Sequence, residues 1–247
     1  MKLITSVQNG YVKKWRKLKR KRGREKEQAF LIEGFHLVEE AIKSSWDVQE
    51  IIIREDVSLQ NEWQSYNWFQ VNQEVFNEIS HTEQPQGIAA VVTMKEQSFA
   101  NGSRILALDA IQDPGNLGTL IRTADAAGFD GIIVGKGTVD PFNDKVIRAT
   151  QGSIFHVPLY FGDLNEWLTA LQQQSFQVWA TAVHHATSYL DIKPVSPVVL
   201  VVGNEGAGVQ EEYLQLANER VTIPVYGQAE SLNVAIASGI LMYYLRT

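Results

Sequence analysis

The 247-residue sequence contains no cysteine. That excludes disulfide frameworks, thiolate nucleophiles and Cys-type zinc sites at once, and it agrees with a reducing cytoplasm. Long apolar runs are missing too: nothing after Met-Lys-Leu-Ile-Thr has the length of a secretory leader or a membrane span, so a soluble protein without a membrane partner is expected. His184 and His185 have no companions at metal-ligand spacing, and no metal is expected. What is present is a 45% hydrophobic share over a length suited to two ordinary domains, enough to bury a real core.

Net charge is −6, but its distribution is uneven. Residues 1–30 hold eleven Lys/Arg against Glu25 and Glu27, a balance of +9, which leaves 11 basic and 26 acidic residues, or −15, in the rest. Such an asymmetry marks a basic arm that grips polyanions. Tyr11, Val12, Trp15 and Leu18 recur in it at helical spacing, so one face packs while Lys13, Lys14, Arg16, Lys17, Arg20, Lys21, Arg22 and Arg24 fan out on the other. Gly23 is expected to end or kink this helix. A merely solvated charged helix is the plain alternative. The excess of one sign and the interleaved Trp15 favour RNA contact, and the apolar face is too small for deep insertion into a membrane surface.

From Ala29 to Val92 short apolar runs alternate with helical patterns, which reads as a small α/β module. Strands are expected at 30–32, 48–53, 68–71 and 88–92, with helices at 36–43, 59–63 and 74–79. Lys95–Ser103 loses periodicity and reads as a linker, giving domains at 1–98 and 103–247. The second half alternates strands at 104–108, 132–134, 178–183, 198–202 and 221–225 with helices at 117–127, 144–151, 164–172 and 234–245. β-branched strands separated by helices imply a mainly parallel sheet covered on both faces. Ligands in such sheets sit beyond the carboxyl ends of the strands, so the loops after Leu108, Val183, Val202 and Val225 carry the interest.

Three of those loops are unusual. Asp-Ala-Ile-Gln-Asp-Pro-Gly-Asn-Leu-Gly-Thr-Leu-Ile-Arg-Thr-Ala follows Leu108, Gly-Asn-Glu-Gly-Ala-Gly follows Val202, and Tyr-Gly-Gln-Ala-Glu-Ser-Leu-Asn-Val-Ala follows Val225. The glycines let backbone turn sharply and approach a ligand, though the second loop fits neither the dinucleotide nor the P-loop pattern. Asn-Leu-Gly-Thr-Leu-Ile-Arg-Thr-Ala (116–124), Val-Val-Gly-Asn-Glu-Gly-Ala-Gly (201–208) and Ile-Pro-Val-Tyr-Gly-Gln-Ala-Glu-Ser-Leu-Asn-Val-Ala-Ile-Ala (223–237) resemble, in order and spacing, the three motifs of the SpoU (TrmH-like) RNA 2′-O-ribose methyltransferases of the SPOUT superfamily. Residues 30–41, Phe-Leu-Ile-Glu-Gly-Phe-His-Leu-Val-Glu-Glu-Ala, look like the start of the RNA-binding domain, similar to ribosomal protein L30e, that many members carry.

The resemblance implies an α/β fold of two parts, an L30e-like RNA-binding domain and a trefoil-knotted SPOUT domain that pairs into a homodimer. It implies S-adenosylmethionine as the methyl donor and Thr181, Gly203, Ile223 and Leu232 as its pocket. Asn116, Arg122, Glu205, Ser231 and Asn233 match the polar site positions. A guanidinium stays protonated, so Arg122 is read as an electrostatic clamp on ribose or phosphate and not as a base, with Glu205 a candidate to fix it. Helix caps are the plain alternative for Asn116, Ser231 and Asn233, and for Glu205. Arg148 and Lys145 lie in a further segment resembling the family and are candidates to touch RNA. Ribosomal RNA is the first expected substrate. Transfer RNA, or a non-catalytic RNA-binding or ribosome-assembly role, is the alternative.

Overall fold

The computed structural model describes residues 3–95, 97–99 and 102–247. Lys2 of the basic arm and Glu96, Ala100 and Asn101 of the expected linker lie outside them. The chain forms two compact units, Met1–Lys95 with Phe142–Phe155, and Glu96–Pro141 with His156–Thr247.

The first unit opens with β1 (Leu3–Ile4), α1 (Gly10–Lys17) and α2 (Lys21–Glu27). Asn9 caps α1 by accepting the Tyr11 N–H at 2.9 Å, and Lys14, Arg16 and Lys17 occupy the last turn, where the helix dipole favours cations. Val12, Trp15 and Leu18 are buried in the core as their spacing predicts. Trp15 is fully buried: its Nε1 donates to Glu50 Oε2 at 2.5 Å, and its ring meets Phe69 edge-on at 5.4 Å. It is a core residue, so its presence among the cations is no argument for RNA contact. The break in the basic segment is also not where glycine suggested. Helix α1 ends at Leu18, and Gly23 sits inside α2, where a Cβ would stand 1.9 Å from the Lys17 carbonyl oxygen. Glycine is there because one helix presses on the end of the other.

Next come β2 (Ala29–Glu33), α3 (Phe35–Lys43), β3 (Val48–Arg54), a 3-10 turn at Asn61–Trp63, β4 (Trp68–Val71), α4 (Gln73–Ile79) and β5 (Ile88–Thr93). The sheet order is β1-β4-β3-β5-β2, with β1, β4 and β3 parallel and β5 antiparallel to β3 and β2.

The second unit begins with β6 (Arg104–Leu108), α5 (Pro114–Ala126) and β7 (Gly131–Val134). The segment Phe142–Phe155, which carries α6 (Asp144–Thr150), packs with the first unit, against Phe30 and Trp46. Then follow β8 (Leu159–Phe161), α7 (Leu164–Gln173), β9 (Gln177–Thr181), β10 (Thr187–Ser188), β11 (Val198–Val202), α8 (Glu211–Leu216), β12 (Glu219–Thr222) and α9 (Val234–Tyr244). All seven strands run parallel in the order β10-β12-β9-β11-β6-β7-β8. The strand expected at 221–225 stops at Thr222, just before Ile223-Pro224, because proline has no N–H to pair. Strands β1, β8 and β10 and helix α8 were not expected: elements this short show no periodicity to read.

Candidate active site

The parallel register brings the carboxyl ends of β6, β11, β9 and β12 to one edge, since Leu108 pairs with Val202, Val201 with Ala180, and Thr181 with Val221. The loops leaving that edge are bonded to one another. Helix α5 starts with Asp113 as N-cap, taking the Asn116 N–H at 2.7 Å, and Pro114 in the first turn, whose missing N–H costs nothing there. Asn116 joins the three loops: its Nδ2 donates to Glu205 Oε1 at 3.0 Å, and its Oδ1 accepts from Asn233 Nδ2 at 2.9 Å. Asn233 also caps α9 through the amides of Ala235 and Ile236, so its cap and site roles coexist.

Glu205 does not reach Arg122. Its carboxylate takes Asn116 and the backbone N–H groups of Gln112 and Asp113 at 3.3 and 3.2 Å, at the beginning of α5, whereas Arg122 lies six residues on, about 9 Å along the axis. The expectation that Glu205 fixes Arg122 is therefore corrected. Partial burial works to raise the Glu205 pKa, but the hydrogen bonds from Asn116 and from the amides of Glu205, Asp113 and Gln112 together outweigh it and hold the carboxyl below its ordinary 4.5. Arg122 itself is exposed and has neither a hydrogen bond nor an ion pair among the described residues. The acid one turn on, Asp125, is engaged by His156, whose Nδ1 stands 2.9 Å away. Ser231 is exposed and likewise without a side-chain bond among the described residues.

Thr181, Gly203 and Ile223 lie at or just beyond adjacent strand ends, β9, β11 and β12. Leu232, 37% exposed, sits in the loop before α9. Gly203 is where the second loop closes on itself: a Cβ would stand 2.2 Å from the Gly208 carbonyl carbon and the Val209 nitrogen. Asn204 holds the turn through the amides of Gly206 and Ala207 and reaches Ala110 O at 2.9 Å. The half-exposed Ile223 and the exposed Leu232 leave apolar surface beside these strand ends, which fits the flat face of a nucleobase.

In the first unit the structure divides the basic residues into groups. Lys13, Lys17, Arg20 and Arg22 are exposed, with no side-chain partner among the described residues. Lys14 lies 3.8 Å from Glu50, Arg16 2.7 Å from Glu78 and Lys21 3.9 Å from Glu25. On α6, Arg148 pairs with Asp144 at 3.2 Å, and Lys145 is exposed. Arg24 is 5% exposed and donates to the Leu18 carbonyl at 2.8 Å, tying the end of α1 to α2. It is removed from the RNA-contact set, because a buried guanidinium spent on its own fold has no face left for phosphate.

Sequence reasoning missed Asp109 and Gln210. Asp109 is 1% exposed at the end of β6 and takes both the backbone and side-chain N–H of Gln210, at 2.8 and 2.5 Å, anchoring the far end of the Gly203–Val209 loop. No local pattern links two residues this far apart. The Asp113 cap went unread too: the helix was expected from 117 with Asn116 as a candidate cap, whereas it begins at Pro114 with Asp113 capping it. Among the described residues no group of three or more His, Cys, Asp or Glu could hold a metal, and no helix is long and apolar enough to cross a membrane.

The SpoU rRNA Methylase family matches residues 103–243, and the MRM3-like substrate binding domain matches residues 9–90. The chain is 44% identical, over the whole of both sequences, to the 23S rRNA (guanosine(2553)-2′-O)-methyltransferase RlmP of Bacillus subtilis. It resembles the AdoMet-bound rRNA methyltransferase of Sinorhizobium meliloti with 34% identity and a TM-score of 0.89, over 99% of this chain and 97% of that one. An RNA 2′-O ribose methyltransferase gives 30% identity and a TM-score of 0.82, over 98% and 97%. With its polar loops cross-bonded at the sheet edge and more than half its length inside the family match, the chain belongs to the SpoU rRNA methylase family.

Proposed function

We propose that the chain is an S-adenosylmethionine-dependent RNA 2′-O-ribose methyltransferase of the cytoplasm, with ribosomal RNA as its substrate. The carrying observation is the Glu205–Asn116–Asn233 chain at the sheet edge, with Arg122 left unpaired on the helix it organises. Full-length likeness to an enzyme named for guanosine 2553 of 23S rRNA makes 23S rRNA the first substrate to assay.

The cofactor, when bound, would supply a methyl group on a sulfonium; in-line attack by the ribose 2′-oxygen forms the O–CH3 bond as the S–CH3 bond breaks, leaving S-adenosylhomocysteine, and the hydroxyl proton passes to solvent. Thr181, Gly203, Ile223 and Leu232 hold the nucleoside. Arg122 remains protonated and stabilises the negative charge that develops on the 2′-oxygen, or grips the adjacent phosphate. Asn116 and Asn233, already fixed by Glu205 and by the α9 cap, place the ribose together with Ser231. Lys13, Lys17, Arg20 and Arg22 supply the main phosphate contacts; Lys14, Arg16, Lys21 and Arg148 add less because acids already partner them. Residues 1–98 act as the substrate-binding domain and 103–247 as the knotted catalytic domain. A homodimer forms through α9, where Ile236 (57% exposed), Ile240 and Tyr243 (55% exposed) make an apolar stripe at i, i+4 and i+7, in favour of self-association.

The test is transfer of labelled methyl from S-adenosylmethionine to 23S rRNA, followed by digestion to nucleosides. Label in a 2′-O-methyl nucleoside is expected. Label in a base, or binding of RNA with no transfer, would contradict the reading and favour a base-modifying or non-catalytic protein.

A further inference from the structure

We propose that the loop joining α4 to β5, residues 81–87, reads base edges of the RNA while α1 and α2 hold its phosphates. The proposal rests on the RNA reading above and concerns the first unit alone.

This loop is at the surface, yet it is tied down along its length. Glu33, at the end of β2, accepts from Ser80 Oγ at 2.9 Å, Thr82 Oγ1 at 2.5 Å and the His81 N–H at 3.1 Å. Arg54, at the end of β3, donates to the Pro85 carbonyl at 3.3 Å while its other nitrogens are held by Asp56. Gln86, itself exposed, accepts the Phe35 N–H at its Oε1 at 3.0 Å where α3 begins. At Gly87 (φ +83) a Cβ would stand 2.6 Å from Val57 Cγ2, so no other residue closes the loop.

The basic helix abuts this mount. Lys19 of the α1–α2 turn donates to the carbonyls of Glu78 and Ser80 at 3.1 and 2.6 Å, beside the Arg16–Glu78 pair. Two side chains stay unspent at the tip: Glu83 and Gln84 are exposed, and neither has a hydrogen bond or ion pair among the described residues. A loop needed only as a connection would not be fixed so thoroughly. A rigid mount matters when polar groups must meet a partner at set positions, because little entropy is then lost on binding.

RNA recognition divides in the same way. Cations on the backbone give affinity that falls with salt, and fixed donors and acceptors on base edges give sequence preference. A carboxylate such as Glu83 accepts from exocyclic amino groups, and an amide such as Gln84 both donates and accepts, as a Watson–Crick or Hoogsteen edge requires. The deep groove of an A-form duplex hides such edges, so the partner segment is an unpaired nucleotide in a loop or bulge.

The test uses the full chain and a hairpin RNA pool with a randomised loop, with bound and input molecules sequenced across a salt series. The wild type should enrich particular loop sequences. Glu83→Ala with Gln84→Ala should reduce that enrichment by about tenfold while leaving affinity for the unselected pool and the thermal midpoint unchanged. Lys17→Ala with Arg20→Ala should do the reverse, lowering pool affinity and its logarithmic salt slope by about 1.5 with the preferred sequences kept. Enrichment unaffected by the tip substitutions overturns the proposal, as does salt-dependent wild-type binding with no enrichment. Absence of any salt-dependent binding would instead overturn the RNA reading, and this inference with it.

Discussion

The two polar regions of the molecule use their charges in opposite ways. On α1 and α2 the cations Lys13, Lys17, Arg20 and Arg22 point outward unpartnered over a buried apolar underside. Around α5 and the Gly203–Val209 loop, Asp109, Asn116, Glu205 and Asn233 are all tied to a different loop, and Arg122 and Ser231 are left over. In the first region many charges do one interchangeable job. In the second, position is the function, and the two unpaired residues stand out against a fixed background.

If that contrast is right, substitutions should separate cleanly. Trp15→Ala should have the largest effect on the basic region, about 3–5 kcal/mol of lost stability, because it empties the space under α1 and removes the Nε1 hydrogen bond from the buried Glu50 carboxylate, leaving it Lys14 alone at 3.8 Å among the described residues. Chemical denaturation followed by a probe in the first unit measures it, and a loss below about 1 kcal/mol would mean that the helix is not held by its underside. Replacing Lys13, Lys17, Arg20 and Arg22 together by Ala should lower the logarithmic salt slope of RNA binding by about 3, with single substitutions contributing similar shares. One dominant residue among the four would break the picture of interchangeable charge.

In the fixed region, Glu205→Gln should cost about 1 kcal/mol or less, because Glu205 is exposed and solvent screens its bonds. The pH dependence gives its sign. The folded pKa lies below 4.5, so the stabilisation is complete above that value and is lost as pH falls through the lowered one. Thermal midpoints of wild type and Glu205→Gln should therefore converge in acid and differ at neutral pH. The smallest effect belongs to His81. Burial lowers its pKa, opposed by Asp144 and Glu33 and assisted by Lys19 and Arg148. The unfolded chain then binds the proton more readily, so stability should fall as pH drops below about 6.5, a slope that His81→Gln should flatten.

Much of the frame could be read from the chain. The strands at Trp68–Val71, Arg104–Leu108 and Val198–Val202 fall where apolar runs place them, and the three motif loops do leave one sheet edge. Periodicity states which residues share a face, not what that face meets. For that reason Arg24 looked like part of an RNA surface although it is buried, and Gly23 looked like a helix end although it relieves a clash with Lys17. Chemical type named Glu205 but not its partner, because the choice of Asn116 over Arg122 depends on how far along α5 the second loop arrives.

The central claim is that Arg122 stabilises charge in methyl transfer and leaves cofactor binding to the strand-end backbone. Measuring transfer to 23S rRNA and S-adenosylmethionine affinity in Arg122→Ala tests it most directly. Transfer should slow by about 10²–10³ with cofactor affinity unchanged. Transfer at the wild-type rate, or a loss that merely follows weakened cofactor binding, would contradict it.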